Sequence, residues 1–175
     1  MPLTQQVARD VVHSLILHDG IIQHHKESFD KFIIDSICHV IEENSLIVLE
    51  CENMRHIIKI KNVKIERCKI KEDDGSNREL WPRECIFRKQ TYASAVYGDI
   101  VHNEEYKRST DKGVVWDLVR QTVCHEVLLC EIPVMLRSIA CYTRHEPEYR
   151  DQNSPYDFGG NFIINGAEKV LVPQE

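Results

Sequence analysis

The sequence predicts an α+β fold in which N-terminal helices precede a mixed or antiparallel, bent sheet. Three observations carry that prediction. Apolar residues recur at helical spacing as far as Asn44, their period falls to two from Leu46 onward, and the apolar face then changes parity twice within one basic stretch.

The first helix is placed over about residues 4–18 by Leu3, Val7, Val11, Val12, Leu15 and Ile16, with Thr4 as its cap and Gly20 as its stop. A second is expected from a cap at Ser28, with Phe29, Phe32, Ile33, Ile37, Val40 and Ile41 forming one apolar stripe that ends near Asn44. In "HIIKIKNVKIERCKIK" the apolar positions run 58 and 60, then 63 and 65, then 68 and 70. A one-residue slip moves every side chain to the other face, so a bulge is expected near Asn62 and another near Arg67, re-aiming one continuous strand. Asp74-Gly75 reads as a tight turn and Trp81-Pro82 as a rigid exit. "TYASAVYGDIVH" is a strand, broken by a polar loop containing Asn103, Glu104, Glu105 and Lys112-Gly113. Between Val114 and Pro133 helix and strand both fit, the second half favouring strand. A polar loop follows from Glu146 to Tyr156, and then a hairpin reversed at Asn165-Gly166, with a connection longer than two residues.

Bulk properties narrow the function. The chain of 175 residues is about one domain. Its seven cysteines stand singly without a CxxC pair, which argues against a zinc ribbon or a secreted disulfide framework and suggests reduced thiols, mostly in the core. No apolar run approaches roughly 18 residues, and no basic start leads into an apolar stretch, so a soluble intracellular protein without membrane association is expected. A net charge of -6 does not suggest a free-standing nucleic-acid binder. Charge is uneven, however: Arg55 to Lys71 holds seven Lys or Arg against Glu66 alone, a run read as a solvated strand face.

No catalytic constellation assembles. His24 and His25 are neighbours and point apart on a helix, and Cys124, Glu126 and Cys130 would share one strand face with His125 opposite, so neither set is expected to close around a metal. Gly159-Gly160 precedes a strand, whereas phosphate cradles put a helix N-terminus after their glycines. Gly159, Gly160, Asn165, Gly166 and Pro133 are assigned to the fold.

One family matches these residues. "PYDFGGNFIINGAEKVLVPQE", Pro155 to Glu175, resembles a signature of the second-largest subunit of multisubunit DNA-directed RNA polymerases, Pro-x-Asp-x-Gly-Gly-x-Phe-Ile-Ile-Asn-Gly-x-Glu-Lys-Val-x-x-x-Gln-Glu. "GIIQHHKESFDKF", "WPRECIFRKQTYAS" and "IPVMLRS" resemble further segments of that family in the same order, closer to the eukaryotic, archaeal and large-DNA-virus type than to the bacterial one. Cys85, Ile86, Ser154 and Asn161 depart from it, standing where Ala, Arg, Cys and an aromatic are usual.

The resemblance implies that residues 1–175 are the N-terminal part of the protrusion domain in a much longer chain, forming a cleft wall and not itself catalytic. It implies partners in the largest and the smaller polymerase subunits, in template DNA and in the RNA–DNA hybrid. Magnesium would be held elsewhere in the complete enzyme, with no cofactor in this segment. Nucleic-acid contacts are expected at Gln174 first, then at Lys169 and Arg137. The location implied is the nucleus, or a viral factory or virion if the protein is viral. Two other readings are a stand-alone truncated protrusion serving as an interaction module and, more distantly, a thiol or metal enzyme built on Cys124 and His125.

Overall fold

The computed structural model describes residues 5–19, 22–110, 113–144 and 157–172. In chain order the elements are α1 (Gln5–Asp19), α2 (Gln23–Lys31), a π-helical turn (Phe32–Ser36), α3 (Ile37–Glu43), β1 (Ile47–Glu50), β2 (Met54–Ile65), β3 (Lys69–Lys71), β4 (Asn77–Glu79), α4 (Pro82–Arg88), β5 (Ala93–Thr110), β6 (Gly113–Pro133), a 3₁₀ turn (Tyr142–Arg144), β7 (Phe162–Ile164) and β8 (Ala167–Lys169). This is the α+β class the sequence predicts. They cluster into two compact units, the first comprising Met1–Lys31, Ile70–Tyr92 and Pro133–Glu175, the second Phe32–Lys69 and Ala93–Ile132.

The helices start and turn differently from their apolar pattern. α2 begins at Gln23, so Ser28 lies inside it and is not its cap; the polar opening turns, tied by Gln23 Nε2 donating to Glu27 Oε1 at 2.9 Å, carry no apolar period to reveal them. Of the predicted stripe, Ile33 and Ile37 are buried, whereas Phe32 and Val40 are exposed. The π turn between α2 and α3 explains this, because its extra residue rotates the apolar face partway along the run. Thr4, Gly20 and the loop from Glu146 to Tyr156 lie outside the described residues.

In the second unit four strands lie in the order β1-β2-β5-β6. β2 pairs antiparallel with both β1 and β5, and side-chain bonds from Arg108 to Asp117 and from Gln121 to Asn103 show β6 running back along β5. The bulge expected at Asn62 is present: Lys61 faces Asp99, Lys64 faces Tyr97, and Asn62 has φ 53°. It keeps Ile58, Ile60, Val63 and Ile65 on one face despite their change of parity. A second positive-φ residue, Glu126 at 51°, lies on β6. Asp99 on the middle strand serves both irregularities, accepting from Asn62 Nδ2 at 2.8 Å and from the Glu126 N–H at 3.0 Å. The sheet therefore bends about a polar node, beside which Gly98 admits the tips of Ile60 and Leu129.

Three expectations need correction here. The strand does not continue through Arg67: β2 ends at Ile65, and β3 joins β4 in a separate hairpin turned at Gly75, φ 83°. No loop interrupts β5 at Asn103, Glu104 and Glu105, because pairing with β2 satisfies the backbone of those polar residues. Trp81-Pro82 does more than leave a turn: Trp81 is the extended N-cap and Pro82 the first residue of α4, where a missing N–H costs nothing.

Candidate nucleic-acid interface

The first unit is organised around the β7–β8 hairpin. Ile164 faces Ala167, so only Asn165 and Gly166 connect the strands, with φ 51° and 76°; the connection is two residues and not longer. Its register follows from packing on the C-terminal end of α4. A Cβ at Gly166 would lie 2.7 Å from Lys89 Cα and 3.0 Å from the Ile86 carbonyl oxygen. Lys89 is itself the left-handed cap that ends α4. Thr91 Oγ1 receives the Asn165 N–H at 3.1 Å, and the Gly166 N–H reaches Gln90 O at 2.9 Å.

Three distant segments are thus tied together by short backbone bonds. The Tyr92 N–H donates to Ile163 O, the Val134 N–H to Tyr92 O, the Leu136 N–H to Asn161 O and the Gly160 N–H to Leu136 O, all at 2.8–3.0 Å. Ile163, Tyr92 and Val134 are fully buried at the centre. Burying one such aliphatic side chain contributes about 1.5–3 kcal/mol. At the near end of β7, Gly160 faces Ile22, and Phe29 meets Phe162 edge to face at 5.6 Å. Asp30 of α2 accepts the Ile139 N–H at 2.7 Å and pairs with Arg144 at 2.6 Å.

Against this scaffold the expected contact residues differ. Lys169 closes β8, faces Phe162 across the hairpin and is exposed. Arg137 has φ 62°, its side chain is one-fifth exposed, and its Nη2 lies 3.9 Å from Asp157 Oδ2. A Cβ at Gly159 would strike the Leu136 carbonyl oxygen at 2.6 Å and the Arg137 stem at 2.9 Å, so that arginine is folded against Gly159. Gln174 lies outside the described residues. Pro133 is the last residue of β6. Asn161, where the family usually has an aromatic, donates to Glu168 Oε2 at 3.1 Å but leaves its own buried Oδ1 without a partner among the described residues. Beyond β8, Val170, Leu171 and Val172 are about two-thirds exposed.

The basic run divides by partner. Arg55 pairs with Glu105 and stacks over Trp116 at 4.7 Å, and Lys69 pairs with Glu66 at 2.9 Å. Lys59, Lys61 and Lys64 are exposed and share the face opposite Ile58, Ile60 and Val63, the bulge again holding the row in line. The parity change showed the bulge; which lysines align required the register.

Cys124, His125, Glu126 and Cys130 do not converge on a ligand: His125 Nδ1 turns to Asp99 at 3.4 Å, and both cysteines are exposed. Of the seven thiols only Cys68, Cys85 and Cys141 are buried, fewer than a mostly core assignment expects. Among the described residues no helix is long and apolar enough to cross a membrane.

Comparison with known proteins gives these elements a context. A family model described as RNA polymerase beta subunit matches residues 20–175. The chain is 30% identical over 192 residues to "DNA-directed RNA polymerase II subunit RPB2" of Meyerozyma guilliermondii, covering 99% of this chain and 16% of that protein. It is 33% identical to "DNA-directed RNA polymerase subunit Rpo2N" of Methanocaldococcus jannaschii, over 97% of this chain and 32% of the relative. It is 29% identical to "Probable DNA-directed RNA polymerase II subunit RPB2 homolog" of Invertebrate iridescent virus 3, over 89% of this chain and 13% of the relative. The chain therefore spans between about one-eighth and one-third of the length of these relatives.

Proposed function

The chain belongs to the RNA polymerase beta subunit family, and on that premise we propose that it forms the first part of the protrusion of a DNA-directed RNA polymerase. In this role it is one wall of the cleft that holds template DNA and the RNA–DNA hybrid. The observation that carries the reading is the match across residues 20–175, which includes every segment of the clamped hairpin. The chain assembles with the largest and smaller polymerase subunits, in the nucleus if its source is eukaryotic or in a viral factory or virion if it is viral. The exposed apolar run at Val170, Leu171 and Val172 supports assembly, since such runs mark surfaces that are covered in a complex.

Nucleotidyl transfer is assigned to other polypeptide, and this chain is inactive alone. Magnesium takes oxygen ligands, whereas the one group of three metal-capable side chains within mutual reach among the described residues is imidazole-rich, so it does not fit that ion. What this chain supplies is shape and charge: Lys169 and Gln174 meet phosphates without reading sequence, while Arg137, already engaged by Asp157, positions the glycine pair.

Affinity purification from the source through this chain tests the reading. A very large partner subunit and magnesium-dependent, template-directed RNA synthesis are expected in the complex, with none from the chain alone. Purification without any polymerase subunit, or nucleotide turnover by the isolated chain, overturns it. In the complex, Lys169→Glu is expected to weaken nucleic-acid binding and to reduce the slope of log K against log salt by about 1. Arg137→Gln leaves that slope unchanged.

A further inference from the structure

On the opposite face of the second unit's sheet from the lysine row lies a cluster that neither the family match nor the proposed function uses. Glu104 of β5 stands directly across the ladder from His56 of β2, and His102 stands across from Ile58. Residues two apart on a strand share a face, so β5 presents His102 and Glu104 together while β2 sets His56 opposite Glu104 and diagonal to His102. The two imidazoles face each other with His56 Nδ1 3.1 Å from His102 Nε2, their planes tilted by 30°. One donor atom from each of the three side chains lies within 4.8 Å of the others, and all three residues are half-buried.

We propose that His56, His102 and Glu104 form a binding site for a late first-row divalent cation of the Zn2+ kind, pinning β2 to β5. The distance argues for it. A tetrahedral Zn2+ with bonds of about 2.0–2.1 Å to nitrogen holds its ligand nitrogens about 3.3 Å apart, close to the separation these two nitrogens already have. In the metal-free protein one ring N–H is shared with the lone pair of the other. For binding, the donating ring takes its other tautomer, its proton passing to its other nitrogen by exchange with solvent, so that both facing lone pairs turn on the ion; the Glu104 carboxylate closes the third position by rotation about its own side-chain bonds. Half-burial leaves the fourth position open to water, as in three-ligand zinc sites. Two imidazoles and one carboxylate select Zn2+, Co2+, Ni2+ or Cu2+ over Mg2+ and Ca2+, which prefer all-oxygen shells.

The inference does not depend on the polymerase reading, since it needs only the β2–β5 register. The test is titration of the full chain with Co2+ after alkylation of its thiols, because Cys51, Cys124 and Cys130 are exposed and would bind the same ions. One equivalent is expected to bind with the visible absorption of a four-coordinate ion, without sulfur charge-transfer bands, and Zn2+ should displace it. Glu104→Gln and His102→Asn should each weaken binding at least about 10-fold. Because a variant can also perturb the strand, imidazole NMR signals of the unsubstituted chain provide a second measurement: His56 and His102 should shift with Zn2+ and not with Mg2+. Absence of saturable binding, undiminished binding in the variants, or imidazole signals indifferent to Zn2+ would each overturn the assignment.

Discussion

The two units reach order by different means. The first joins three segments far apart in sequence through close backbone approaches, and its centre, Tyr92, Val134 and Ile163, is fully buried. The second consists of long antiparallel strands whose regular ladder fixes the register, and many of its apolar side chains, including Ile47, Leu49, Leu118 and Val119, remain exposed. Steric fit therefore governs one, while hydrogen-bond pairing governs the other. In the first unit, backbone lodged against backbone leaves no room for a side chain at Gly159 or Gly166.

Adding one methyl group to a glycine of each unit is the strongest way to break this contrast. Gly166→Ala forces a Cβ into Lys89 Cα at a φ of 76°, with no flexible atom to yield. Left-handed strain and overpacking together are expected to cost about 2–5 kcal/mol, read as the shift in denaturant midpoint. Gly98→Ala in the second unit also makes contacts of 2.9 Å, but with side-chain atoms, the Ile60 branch methyl Cγ2 and the Leu129 tip Cδ1, and without a left-handed φ. Leu129 can rotate away and only the stiffer β-branched Ile60 must shift, so a cost near the lower end of overpacking, about 1 kcal/mol, is expected. Equal losses for the two variants would refute the distinction between steric and ladder control.

A smaller effect is expected from acid. In the first unit, hydrogen bonds from Arg88 and then Arg78 hold the Glu72 carboxyl below the usual glutamate range, Arg78 does the same for Glu84, and Ser76 lowers Asp74. In the second, Asn62 and the Glu126 N–H lower Asp99. A depressed folded-state pKa means that the unfolded chain binds more protons, so the stability these groups contribute is present above the ordinary carboxylate range and is lost as pH falls through the lower folded values. With three such groups against one among the described residues, backbone amides around β3, β4 and α4 should lose hydrogen-exchange protection at a higher pH than those of β2 and β5. Arg88→Gln should narrow that difference. Earlier loss in β2 and β5 would contradict the assignment.

Part of the second unit is legible in the sequence alone, and the Asn62 bulge shows why. A parity change in the apolar pattern is local and needs no partner strand to be seen. The polar half of β5 was not legible, because Asn103, Glu104 and Glu105 look like a loop until β2 is placed beside them. α4 was hidden by its seven-residue length, although Pro82 at its first position is a helix-start signal. At the candidate interface, Lys169 and Arg137 look equivalent in sequence; the structure leaves Lys169 exposed and sets Asp157 and Gly159 beside Arg137.

By itself the sequence determined the α+β class, the periodicities, the Asn165-Gly166 reversal and the family. These depend on residues within a few positions of one another or on the order of short motifs. The tertiary structure alone decided which lysines form a row, what restrains Arg137, and that His56 meets His102 and Glu104 across two strands. Those facts are pairings between residues tens of positions apart. They are set by the register that buries apolar surface and satisfies the backbone together, and no local pattern encodes it.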